Sequence, residues 1–234
     1  MTSTRFLSAI LALSLVGCAS GGANSLPASE GAMGQDPAAQ AQGPAMAAGG
    51  APAMDHSMHL PGLTATGGPG YTAADVHFMQ MMIPHHQQAL EMAAKAATHG
   101  AGPEVRALSL RIDISQRDEI AFMERWLRER SQPVPDEHAV HTMTMPGMLT
   151  PAEMARLDAA RGGDFDRLFL NFMIEHHLGA IQMVDDLWAA PGAAQDSEIF
   201  RFASDVAADQ LDEIGIMERI LDRLSTTSPG SSPR

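Results

Sequence analysis

The sequence predicts an all-α protein: a four-helix bundle made of two repeated αα-hairpins, preceded by a disordered N-terminal tether. Three observations carry that expectation. Apolar residues recur at helical spacing through most of residues 71–225, with Gly and Pro at the breaks. A segment beginning at Asp75 recurs from Asp166, and one beginning at Gln116 recurs from Gln210. No stretch reads as a convincing strand.

The elements follow in chain order. Residues 1–17 read as a bacterial lipoprotein signal peptide, with Arg5 as the positive region and Phe6 to Val16 as a short apolar run. The run ends at Leu15-Val-Gly-Cys18, which places Cys18 where a lipidated first residue would stand. The expected location is therefore a bacterial cell envelope, with a lipid anchor as the membrane contact and the chain facing the periplasm or the exterior. The same single cysteine excludes a disulfide within the chain and any Cys-rich zinc site. No later run of 18 or more apolar residues could span a bilayer.

Residues 18–70 are rich in Gly, Ala, Pro, Ser and Gln, a composition that cannot bury enough surface to offset its ordering entropy. One island interrupts this tether: Met54, His56, Met58 and His59 around Asp55. Two thioethers, two imidazoles and a carboxylate in a flexible segment suit capture of a soft metal ion.

Thr72 and Asp75 form a capping box that opens the first helix, which runs to about Ala97 before Gly100 and Gly102. Pro103 opens a second, to about Arg130. The connection that follows carries His138, His141, Met143, Met145 and Met148, soft donors in a loop with Pro and Gly. A short helix begins at Thr150-Pro151 and ends at Gly162-Gly163. The third long helix runs from about Asp164 to Ala190, and the fourth from Ser197 to near Leu224. Residues 226–234 read as a disordered tail.

The repeat places chemistry at matching positions. It pairs Met82 with Met173, His85 with His176, His86 with His177 and Met92 with Met183, all at an offset of 91. At an offset of 94 it pairs Gln116 with Gln210 and Glu119 with Glu213. Antiparallel hairpins then set His85 level with Glu119, Gln116 with His86, His176 with Gln210, and Glu213 with Met173. Adjacent residues point about 100° apart on a helix, so one His of each doublet is expected at the bundle seam and the other at its edge. Pro84 is expected to kink the first helix. Met81, Met123 and Met217 read as core filler, and His77 and His99 have no repeated partner.

Composition narrows the function. With 15 Lys+Arg against 28 Asp+Glu, the net charge is −13, which argues against nucleic-acid binding through phosphates. The 17 Met and 10 His form a soft-donor inventory. Zinc gains little from thioethers, and no Glu-x-x-His step for a di-iron centre is present. Copper fits best: Cu(I) with Met and His, Cu(II) with His and carboxylate. No nucleophile elbow, phosphate loop or His-Glu-x-x-His motif suggests an enzyme.

The doublet Met-Ile-x-His-His followed by Ala and Met, and the Gln-x-x-Glu-Ile step in the next helix, resemble the bacterial family catalogued as domain of unknown function 305. So do Met145-Pro-Gly-Met148-Leu-Thr and Gly163-Asp-Phe-Asp166. The resemblance covers roughly residues 71–224. It implies a ferritin-like bundle in exported proteins, some associated with copper binding and resistance. Carried across, it implies Met82, His85, His86, Met92, Met173, His176, His177 and Met183 as ligands.

The expected function is thus a lipid-anchored copper-binding protein for sequestration or transfer. Flexible patches at Met54–His59 and His141–Met148 would capture the ion, and the helical His sites would hold it beside Glu119 and Glu213. Partners would be metal ions and a copper-handling protein or a second copy. Two other classes fit less well: a copper-dependent oxidase or metal-assisted hydrolase, and a structural bundle docking an envelope partner.

Overall fold

The computed structural model describes residues 63–136 and 144–226. Cys18, Met54, His56, Met58, His59, His138, His141 and Met143 lie outside them. Within the described residues the secondary structure is helical, with one isolated bridge between Gly68 and Tyr71.

Helix α1 spans Ala73–Ala94, and the expected capping box closes its start. Thr72 Oγ1 accepts from the Asp75 backbone N–H, and the Asp75 carboxylate accepts from the Thr72 N–H at 2.7 Å. The helix continues through Pro84 and tightens into a 3₁₀ turn over Lys95–Ala97. Helix α2, Pro103–Glu129, starts with Pro in its first turn, where the missing N–H costs nothing. Helix α3, Pro151–Ala159, repeats the capping box with Thr150 and Glu153. Helices α4, Gly162–Ala189, and α5, Ser197–Thr226, form the second hairpin.

Helix α1 packs along α2, and α4 along α5; α1 and α4 provide the main contact between the hairpins. Residues 78 through 86 of α1 are all buried or half-buried without interruption, so this helix has no solvent-facing stripe at mid-length. Leu63 and Ala65, ahead of α1, pack on the apolar core, and Thr66 donates to the Gln132 side chain.

The apolar core is divided in two. One cluster joins the first half of α1, the end of α2, the end of α4 and the start of α5, around Met79, Met82, Met123, Trp126, Val184 and Phe202. The other joins the opposite halves, around Met92, Ile112, Phe165, Phe169, Met173 and Met217. Between them, on all four long helices, lie buried polar residues: His85 and His86, Gln116, His176 and His177, Gln210 and Glu213.

The two hairpins are clasped reciprocally. Asp75 of α1 accepts from the Ala194 N–H in the α4–α5 turn at 2.7 Å. Its repeat mate, Asp166 of α4, accepts from the Gly102 N–H in the α1–α2 turn at 3.1 Å. Each carboxylate thus ties its own helix to the turn of the other hairpin.

Candidate metal centre

The polar layer is built from matching parts. On α1, His86 Nε2 donates to Glu119 of α2 at 2.5 Å. On α4, His177 Nε2 donates to Glu213 of α5 at 2.9 Å. The other member of each doublet faces the opposite hairpin: the His85 and His176 rings meet with centroids 3.9 Å apart and planes tilted by 40°. Within each doublet the ring centroids stand 6.3 Å apart.

All four histidines are fully buried, which corrects the expectation of one seam and one edge residue per doublet. The cause is the central position of α1 and α4. Each is packed by its hairpin partner on one side and by the other hairpin on the next, so directions 100° apart both point inward. The register also differs from the hairpin arithmetic. Glu119 meets His86 rather than His85, and Glu213 meets His177, one turn beyond Met173. The α4–α5 connection is longer than a tight turn, since α4 ends at Ala189 and α5 begins at Ser197.

Burial sets the protonation state. Desolvation, with the His86 charge adding to it, pushes His85 down to about 3, against the carbonyl of Pro146 that accepts its Nε2 proton at 3.0 Å. Desolvation and the neighbouring imidazoles hold His176 well below the ordinary range. Desolvation also lowers His177, opposed by its bond to Glu213. These three rings are neutral at pH 7.

A carboxylate or carbonyl can only accept, so each bonded Nε2 carries the proton and the opposite Nδ1 keeps a lone pair. Those Nδ1 atoms of His85, His86 and His177 are buried with no hydrogen-bond partner among the described residues, as are both ring nitrogens of His176. Both amide atoms of Gln116, Gln210 Oε1 and Glu213 Oε1 are in the same condition. Arg111 Nε stands 3.3 Å from that last oxygen as an ion pair, without hydrogen-bond alignment. Of the twelve such atoms in the described residues, nine belong to this layer. Each unmade bond costs about 1–3 kcal/mol, so a purely packing role leaves a large cost with no return.

The donor set fits a soft metal. A metal-binding His commonly gives its other N–H to a carboxylate, which fixes the ring and raises its basicity. His86 with Glu119 and His177 with Glu213 have that form. Among the described residues, no three His, Cys, Asp or Glu groups converge as a closed cage.

The thioethers divide by place. Met82 lies in one apolar cluster and Met92 and Met173 in the other, all fully buried on either side of the layer. Met123 and Met217 pack as core, as the sequence suggests. Met183, partly buried, packs both on the cluster around Met82 and on a small one with Met81, Met145 and Met148. His99 is structural: its Nε2 bonds the Asp158 carbonyl at 3.0 Å and its ring lies on Phe165. A surface groove runs along α1 and α2 past Gln87, Glu91 and Arg117.

The sequence reading did not foresee the Asp75 and Asp166 clasps or the unpaired glutamines. The signal was there: all four residues recur at the repeat offsets.

Comparison with known proteins agrees with this architecture. The family model described as "Domain of unknown function (DUF305)" matches residues 75–221. A crystal structure of a DUF305 fragment from Deinococcus radiodurans is 35% identical, with a TM-score of 0.57, covering 66% of this chain and 99% of that one. A DUF305 protein from Streptomyces coelicolor, described as secreted, is 30% identical, with a TM-score of 0.58 and coverage of 65% and 94%. CopM in its Cu(I)-bound form is 29% identical, with a TM-score of 0.52 and coverage of 64% and 96%. CopM structures with Cu(II) and with Ag bound match as well. No curated protein matches the chain.

Proposed function

We propose, from the premise that this chain belongs to the DUF305 family, that it is an exported copper-binding protein that sequesters or hands on the ion. Copper is the cargo, and the polar layer is its holding site. The observation that carries the reading is the pair of carboxylate-held imidazoles, His86 with Glu119 and His177 with Glu213, each turning an unpaired Nδ1 into the core. CopM, of similar fold, has been solved with Cu(I) and Cu(II) bound, which supports the choice of metal.

The residues divide the work. His177 and His176 offer lone pairs without first losing a proton, because burial keeps them neutral, and His86 brings a third imidazole. Glu119 and Glu213 hold the rings and balance the charge of the bound cation. Cu(I) brings an affinity for imidazole and thioether donors that zinc lacks. The acidic chain raises the cation concentration near the protein.

Export and anchoring belong to the same proposal. The signal segment and Cys18 would tether the bundle to an envelope membrane, and the patches at Met54–His59 and His141–Met148 would capture ions for it. No helix of the described residues is long and apolar enough to cross a membrane.

The test is Cu(I) titration of the mature chain with metal analysis, beside a variant with His86→Leu and His177→Leu. Tight binding lost in the variant is the expected result. Equal binding by both proteins would sink the reading.

A further inference from the structure

We infer that Met81, Met145, Met148 and Met183 form a second metal site, an all-thioether port for a soft monovalent cation. Met81 of α1 and Met145 of the inter-hairpin connection make a buried pair, and Met148 and Met183 pack against it while remaining partly open to solvent. The four come from α1, the connection and α4. The inference rests on the copper reading for the identity of the ion and shares Met145 and Met148 with its capture patch, but uses none of the residues of the polar layer.

The connection is held in place for this. The Gln88 side chain binds both backbone groups of Leu149, donating to its carbonyl at 3.0 Å and accepting from its N–H at 2.7 Å. The Pro146 carbonyl accepts from His85. The Met148 N–H closes a turn onto the Met145 carbonyl at 3.1 Å. Gly147, at φ +76°, lies against α4 at Gly179, and no larger residue fits either position. A Cβ on Gly179 would stand 2.0 Å from the Pro146 oxygen, and one on Gly147 would stand 2.4 Å from the Glu175 oxygen. Backbone contact this close fixes where the Met145 and Met148 side chains emerge.

Packing alone does not call for four thioethers. At the position that repeats Met81, helix α4 carries Phe172, buried under Arg156. The core can therefore be filled there without sulfur. The apolar neighbour of the four within the cluster is Leu63. Uncharged sulfur donors without a carboxylate discriminate against hard divalent ions and accept Cu(I) or Ag(I). The Pro146 carbonyl, flanked by Met145 and bonded to His85, joins this port to the polar layer. An ion taken from solvent by Met148 and Met183 would thus stand beside the buried imidazoles.

Silver is the probe, because it stays monovalent. The full mature chain carries ¹³C-labelled Met methyl groups, and substoichiometric Ag(I) is added while each methyl resonance is followed. Resonances of Met81, Met145, Met148 and Met183 are expected to move together, ahead of Met79 and Met123. Replacing Met81 by Leu is expected to weaken that site at least about tenfold and to leave Cu(I) binding at His86 and His177 unchanged. If the four resonances move no more than those of Met79 and Met123, the cluster is packing and the port is rejected. The ring resonances of His86, His176 and His177 in the same samples report separately on the histidine layer, so failure of one site is distinguishable from failure of the other.

Discussion

The rings of His85 and His176 meet at 3.9 Å, each with its protonated form suppressed by burial. A contact of two imidazoles between two apolar clusters is a poor way to hold helices together. Neither nitrogen of His176 makes a well-aligned hydrogen bond among the described residues, and contact with the His85 backbone only partly offsets its burial. Replacing His176 by Leu should therefore stabilise the metal-free bundle, by about 1–3 kcal/mol, while weakening copper binding. Thermal denaturation with and without copper measures both effects. A less stable apo variant would show that the ring is a structural asset.

The same burial gives the fold a pH dependence. His85 has a folded-state value of about 3 against 6.5 in the unfolded chain, and His176 and His177 are lowered too. As the pH falls through 6.5, the unfolded chain takes up protons that the folded chain refuses. Stability is complete above 6.5 and is lost progressively down to about 3, by at most about 1.4 kcal/mol per pH unit for each ring. Denaturant midpoints of the copper-free protein at pH 7.5 and pH 5.0 check this. The lower pH should give the lower midpoint, and His176→Leu should flatten the difference.

Glu119 acts on copper through His86. Exchanging it for Gln removes the negative charge and keeps the shape. Copper affinity is expected to fall about 10–100-fold, the usual effect of losing a carboxylate behind a ligand histidine. The corresponding change at Glu213 should act likewise through His177. Competition against a chelator of known affinity reads both, and an unaltered affinity would remove the carboxylates from the account.

Gly179→Ala tests how the connection is seated. Its Cβ would enter the space of the Pro146 carbonyl, so the loop must lift. Stability should drop by about 1–3 kcal/mol, and the Met145 and Met148 methyl resonances should lose their buried environment. Retention of both would mean that the loop can shift without cost.

The clasps are separable from metal. Asp75→Ala frees the Ala194 N–H, and Asp166→Ala frees Gly102. Each should cost about 0.5–2 kcal/mol, comparable to losing a helix cap, with copper affinity retained. Urea unfolding beside metal titration separates the two effects.

Much of the fold was legible because the sequence states it twice. The capping boxes, the glycine stops and the repeated Met-Ile-x-His-His run gave the helices and their pairing. The depth of the histidines was less legible. Periodicity assumes one buried face, whereas α1 is covered on two and is buried without interruption from residue 78 to residue 86. The register of Glu213 depended on the seven-residue connection between Ala189 and Ser197, whose path no local pattern specifies. Met81 reads as filler along α1, and its three sulfur neighbours come from distant parts of the chain. That grouping required the approach of Gly147 to Gly179, a tertiary contact with no signature in spacing.

The central claim is that the polar layer holds copper. The most direct measurement is anomalous scattering at the copper edge from crystals of the loaded protein. The account predicts a peak within coordination distance of His86 Nδ1, His177 Nδ1 or His176. Copper confined to the surface, with waters filling the space between the four rings, would contradict it.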